Sequence, residues 1–177
     1  MKYFIYFAAI IILVGINTGL FPYIKFFGVQ PNLPLLFLVG ACLQRDAEDS
    51  FFIALCAGLF LDTLSGIFIG SFTFGFLLLA LLLFVVIHRL VVFELSWKYL
   101  FAVSIFATVF TQACAWAINS AAFHYGWSQV SLNGSQLRNK IVFEIIYNLI
   151  LAYPLYAFAT FLKNGILQLQ GKRHRIL

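Results

Sequence analysis

Two acidic residues sit inside long apolar stretches, and any chemistry of this chain would centre on them. Asp62 follows Cys56-Ala57-Gly58-Leu59-Phe60-Leu61 and carries the only charge between Ser50 and Ile87. An ionised group in hydrocarbon costs several kcal/mol, so such an acid faces a bundle interior, pairs, or holds a proton. Helical spacing puts Gly58, Asp62 and Ser65 or Gly66 on one face, and Gly66 and Gly70 repeat a small-x-x-x-small pattern that lets helices approach closely. Asp62 therefore either caps a close helix pair or binds a partner or ligand. Glu144 comes just after Arg138 and Lys140 and shares a helix face with Tyr147, Asn148 and Leu151. It reads either as an interfacial charge paired with Lys140 or as one member of a polar patch that also includes Asn148, Asp62 and Pro31-Asn32.

The remaining reactive residues do not assemble into a catalytic pattern. His88 and His124 lie near the ends of apolar segments and His174 in the tail, none at a metal-ligand or nucleophile-activating spacing from a carboxylate or cysteine. An intramembrane protease needs a serine with a histidine, or two aspartates, at helix depth, whereas Asp62 is the one aspartate within a predicted span. No enzyme, no cofactor and no metal are therefore expected. Cys42, Cys56 and Cys114 fall in apolar stretches without a C-x-x-C motif and read as small packing residues. The formal charge of +5 does not point to nucleic acid, because the basic residues cluster at segment ends and form no stripe.

The elements that must position these residues are membrane helices. Of the 177 residues 63% are hydrophobic and 10% charged, far from the soluble average of roughly 25% charged. A helix needs about 20 apolar residues to cross roughly 30 Å of hydrocarbon. Reading between charges gives one transmembrane domain over 1–177, all-α, with about six spans: 3–24, 28–44, 50–66, 70–88, 98–121 and 141–162. The first is expected to be a retained helix and no signal peptide, since its apolar run exceeds an h-region. The second is short and contains two prolines, Pro31 and Pro34. Arg45-Asp46-Ala47-Glu48-Asp49 makes a surface turn, Ser65-Gly66 to Gly70-Ser71 a tight reversal, and His124 to Lys140 a polar loop. Trp97, Trp116 and Trp127 fall near span ends, where aromatic belts form.

Lysine and arginine near span ends set orientation. With the amino terminus inside, Lys2, Arg45, Arg89, Lys98, Lys163, Lys172, Arg173 and Arg175 lie on the inner side, against Lys25, Arg138 and Lys140 outside. Both termini are therefore expected in the cytoplasm. Asp62, twelve residues beyond Ser50, then lies about 18 Å into the bilayer, in its outer half. Glu144 enters the same half from the opposite surface. The basic tail suits contact with anionic lipid as well as ordinary anchoring.

Pro31-Asn32-Leu33-Pro34-Leu35-Leu36, then Ala57-Gly58-Leu59-Phe60-Leu61-Asp62-Thr63-Leu64-Ser65-Gly66 and Gly70, resembles the rod shape-determining protein MreD family. The pattern is a P-[DN]-hydrophobic start to the second helix, then G-x-x-x-D-x-x-S-G with apolar fillers and a further glycine. Thr63 stands where the family usually has an apolar residue. The match is close over 31–75 and looser elsewhere, through length, layout and Tyr147-Asn148 with Pro154; Glu144 inherits no role from it. The resemblance implies a non-enzymatic component of the bacterial inner membrane, part of the elongasome that inserts side-wall peptidoglycan and maintains rod cell shape. It implies binding to MreC, a single-span membrane protein, and work alongside MreB filaments, the RodA glycosyltransferase and its penicillin-binding transpeptidase. It also implies a fold similar to the substrate-binding subunits of energy-coupling-factor vitamin transporters.

The alternative function, of a different class, is such a transporter subunit itself. Its mark would be a polar, aromatic outer loop over a bundle cavity, and His124 to Asn133, with Tyr125 and Trp127, has that composition.

Overall fold

The structure, a computed structural model, describes residues 2–23, 29–44, 46–66, 68–90, 97–127 and 134–174, without the side chains of 88–90, 134–139, 170 and 172–174. Arg45 and Arg175, Lys25 and Glu94 lie outside the described residues, as do the side chains of His88, Arg89, Arg138, Lys172, Arg173 and His174 and the loop residues 128–133. The described residues form helices α1 (Lys2–Gly19), α2 (Leu33–Leu43), α3 (Ala47–Ser65), α4 (Ser71–Leu90), α5 (Trp97–His124) and α6 (Gly134–His174), with a 3-10 turn at Phe21–Tyr23.

Three stretches are long and apolar enough to cross a membrane: Lys2–Tyr23, Trp97–His124 and Lys140–Leu169. Leu33–Leu43 and Ser71–Ile87 are shorter apolar helices. The surface is correspondingly apolar: Phe4, Ile12, Phe74, Ile150 and Phe161 are all more than half exposed. Such a surface is compatible with a membrane interior.

Burial decides the arrangement. All eleven residues of α2 are buried, which no surface helix permits. Helices α3, α4, α5 and α6 follow one another around it, and α1 packs on α2 and α3. A helix surrounded by others is apolar all round, and Leu33-Pro34-Leu35-Leu36-Phe37-Leu38-Val39 is. The surrounding helices each bury a stripe. In α3 it runs Ser50, Ile53, Ala54, Ala57, Gly58, Leu61 and Asp62, the three-and-four spacing of one helix face. In α5 it runs through Leu100, Ser104, Thr108, Thr111, Gln112, Ala115 and Asn119. Small residues set the close approaches: a Cβ on Gly40 of α2 would lie 3.1 Å from Ala159 Cβ of α6. Interhelical packing in an apolar solvent relies on such fits, because lipid tails offer helices no hydrophobic gain from associating.

The helices depart from the expected spans at several points. Among the described residues 29–44 of the second expected span, 28–44, the helix covers Leu33–Leu43. At 1.5 Å per residue these eleven residues rise about 16 Å, half a bilayer. Pro34 and the Asn32 cap start the helix there, and the preceding Val29–Asn32 segment is not helical. The expected polar loop 124–140 is in part helix, since α5 continues through His124 and α6 starts at Gly134. With 41 residues α6 is about 60 Å long, so it outruns 30 Å of hydrocarbon.

Candidate functional site

The polar residues fall into three groups: a joint between α3 and α4, a network at the start of α2, and an ionic clamp at its far end.

The joint is built by Asp62. Helix α4 begins after Gly70, whose carbonyl accepts the first intrahelical bond, from Phe74 N–H at 2.9 Å. That leaves the N–H groups of Ser71, Phe72 and Thr73 without helical partners, as at any helix start. Ser71 N–H donates to Phe68 O at 3.2 Å. Phe72 N–H donates to Asp62 Oδ1 at 2.8 Å and Thr73 N–H to Asp62 Oδ2 at 3.1 Å, with the Thr73 hydroxyl on the same oxygen. The carboxylate of α3 therefore caps α4 from outside, at the positive end of its dipole. Gly58 permits the approach. A Cβ there would lie 2.5 Å from Thr73 Cα and 3.0 Å from Thr73 N, and both are backbone atoms.

The reversal between the two helices has φ of 65° at Gly66, which ends α3, and 102° at Gly70. Both values lie where side-chain-bearing residues rarely go. The Gly66–Gly70 spacing is consequently turn geometry and no helix-packing stripe: open space surrounds each, with nothing within 4 Å of an added Cβ. Ser65 is exposed and its hydroxyl donates to Asp62 O at 3.3 Å. The structural alternative for Asp62, capping a close helix pair, is the geometry observed.

The second group surrounds the start of α2 and solves the same problem in the bundle centre. Asn32 N–H donates to Asn148 Oδ1 of α6 at 3.0 Å, Leu33 N–H to Asn17 Oδ1 of α1 at 3.3 Å, and Leu35 N–H to Asn32 Oδ1 at 3.2 Å. Pro34 has no N–H, and Leu36 N–H makes the first helical bond, to Asn32 O at 3.1 Å. Every backbone donor from Asn32 to Leu36 thus has an acceptor or is absent, as buried backbone requires. Asn148 Nδ2 continues the network to Thr108 Oγ1 of α5 at 2.8 Å, and that hydroxyl donates to Ser104 O at 2.8 Å.

Glu144 belongs to this group. It is 2% exposed and accepts from Gln112 Nε2 of α5 at 2.6 Å. The reading of Glu144 as an interfacial charge paired with Lys140 is therefore corrected: the carboxyl is buried, and Lys140 is exposed and forms no ion pair with it among the described residues. The expected single polar patch is also divided. Asn32, Glu144 and Asn148 come together, with Pro31 beside them lining one cavity with Glu144, while the Asp62 carboxylate accepts from the start of α4. Asn17, Thr108 and Gln112 are partners that sequence reasoning missed. A signal existed for two of them: Thr108 follows Ser104 by four residues, and Thr111 and Gln112 follow Thr108 by three and four, with Asn119 two turns on, along an otherwise apolar span, which marks an inward polar face.

The third group lies at the other end of α2. Lys163 of α6 donates to Gln44 O at 2.9 Å and pairs with Asp46. Lys2 of α1 pairs with Asp49 at 2.9 Å and Glu48 at 3.5 Å, and the Tyr6 hydroxyl donates to Asp49 Oδ2 at 3.1 Å. The expected surface turn 45–49 is corrected: Asp46 stands at the cap position of α3 and Ala47–Asp49 form its first helical turn, with Arg45 outside the described residues, and this start of α3 is held between the first and last helices.

A cavity of about 280 Å³ opens at the end of the bundle where α2 begins, lined from all six helices or their leading segments. It exists because α2 starts late, leaving the longer helices around it unfilled. Residues Asn17, Gln30, Asn32, Gln112, Lys140 and Glu144 supply its polar wall, and Leu61, Leu64 and Phe72 part of its apolar one. The three cysteines are free, and no group of three or more metal-binding side chains occurs among the described residues. No protein-family model, no curated protein and no solved structure matches this chain.

Proposed function

We propose that this chain is a non-enzymatic scaffold of the bacterial cell-elongation machinery, of the MreD type. It sits in the inner membrane with six spans and both termini in the cytoplasm. In this reading it binds an MreC-like single-span protein and positions RodA and its penicillin-binding transpeptidase relative to MreB filaments. Its fold is of the kind found in substrate-binding subunits of energy-coupling-factor transporters.

The observation that supports the reading is that the residues carrying the resemblance serve two helix starts and one reversal. Asn32 caps α2, Asp62 caps α4, Gly58 admits the α4 backbone, and Gly66 and Gly70 supply the left-handed turn. A motif spent on helix joints specifies a rigid platform, and a platform is what a scaffold contributes. Membrane association suits the apolar outer face, against which a partner helix packs by side-chain fit.

The test is capture of an MreC-like protein by the tagged full-length chain in mild detergent, paired with depletion in a rod-shaped host. Co-purification and rounding of the depleted cells are expected. Unchanged cell width and no co-purified partner overturn the proposal. A reporter at the carboxyl terminus that is active only outside the cytoplasm overturns the topology.

A further inference from the structure

The cavity at the start of α2 has a charge pattern that the scaffold reading does not use. Its base is a carboxyl: Glu144, 2% exposed, is held by Gln112 and Asn32 and has no cation in ion-pair contact among the described residues, although the charge of Lys140 acts on it from a distance. A buried acid with no cation in contact is costly, and proteins keep such groups where they have a task. Gln30 lines the same cavity, and its Oε1 is a buried acceptor with no hydrogen-bond partner. Two acceptors facing one space, one of them acidic, call for a donor with several protons and positive charge. A primary ammonium, with three donors and no acceptor, meets that need.

The rim has the opposite sign. Lys140 lines the cavity, is exposed, and has no ion pair among the described residues. It stands one helical turn before Glu144, and residues four apart on a helix have Cβ atoms about 5–6 Å apart. The site therefore has a negative base and a positive mouth a few ångströms apart. Its volume of about 280 Å³ falls just below the roughly 300 Å³ at which drug-sized ligand sites begin, which suits a smaller solute. That volume is less than one turn of a helix with its side chains fills, a cylinder about 10 Å across and about 5.4 Å long.

We infer that this cavity binds a small zwitterion of amino-acid size, with its primary ammonium on Glu144 and Gln30 Oε1 and its carboxylate toward Lys140. Asn17 and Asn32 fix the orientation, and the apolar wall of Leu61, Leu64 and Phe72 takes a short side chain. The site is independent of partner binding: the chain holds the solute whether or not it captures an MreC-like protein, so failure of either claim leaves the other standing.

The test is calorimetric titration of the purified full-length chain in mild detergent with L-alanine, D-alanine and glycine. Ethylamine serves as a cation alone, propionate as an anion alone and propionamide as a neutral analogue. Saturable binding of at least one amino acid is expected, with ethylamine weaker and propionate and propionamide silent. Glu144→Gln keeps the shape and removes the charge. A charge-assisted hydrogen bond contributes enough for about a tenfold or greater loss of affinity. Lys140→Ala, on the exposed rim, is expected to weaken the amino acid several-fold and leave ethylamine unchanged, and it carries the test if Glu144→Gln fails to fold. No saturable binding of any amino acid overturns the inference. So does binding that neither substitution alters, or a cavity that accepts only a lysine- or arginine-bearing peptide of a partner.

Discussion

Replacing Asp62 with alanine removes both acceptors that close the amino end of α4, and the cost follows from the bonds lost. Phe72 N–H and Thr73 N–H, now at 2.8 and 3.1 Å from the carboxylate, would be left without partners. Phe72 is 7% exposed, so water does not readily replace its acceptor. A buried donor left unsatisfied costs about 1–3 kcal/mol, and loss of a helix cap about 0.5–2 kcal/mol. The Thr73 hydroxyl can turn to another acceptor and adds little. Asp62→Ala is therefore expected to lower stability by about 3 kcal/mol, and Asp62→Asn, which keeps one carbonyl oxygen, by about half of that. Equilibrium unfolding of the purified chain in mixed micelles, followed by tryptophan fluorescence, gives the difference. Hydrogen exchange at Phe72 and Thr73 locates it: those amides should lose protection well before the centre of α4. Partner capture should fall only in proportion to the folded fraction. A loss below about 0.5 kcal/mol, or abolished capture at unchanged stability, would refute the capping argument and place Asp62 at a binding surface instead.

Four further outcomes follow from the same geometry. Gly58→Ala forces a Cβ against the Thr73 backbone; it should cost about 1–3 kcal/mol as an overpacking change and be non-additive with Asp62→Ala in the same unfolding assay, since both disturb one joint. Asp62→Ala and Glu144→Gln act on separate bonds, Asp62 to the start of α4 and Glu144 to Gln112, and should add to within about 0.5 kcal/mol in a double-mutant cycle. Asn148→Leu strands Asn32 N–H at the buried start of α2. It should cost about 1–3 kcal/mol and speed hydrogen exchange at Asn32. Lys163→Met removes a pair whose side chains are 24% and 48% exposed, so its effect should stay below about 1 kcal/mol and shrink with added salt in thermal melts.

The helical class was legible before any coordinates, because long apolar runs divided by charge clusters admit little else. So was the reversal at Gly66 and Gly70, where two glycines flank a short loop between apolar runs. The capping option for Asp62 was on view too, since an acid beside small residues in hydrocarbon must find donors. What α2 does was not. Its eleven apolar residues read as a short span, and only tertiary structure makes it the buried centre, since burial from every side is a relation among helices and leaves no periodic mark on the helix itself. Glu144 shows the same limit. Local spacing offers Lys140 one turn away, whereas the partner that forms is Gln112, thirty-two positions earlier on α5. Periodicity assigns a side chain to a face; which face it meets depends on how the helices are arranged around α2. Asp62 and Glu144, alike in sequence as lone acids in apolar stretches, were separated only by that arrangement, one into a helix joint and the other onto the wall of a cavity.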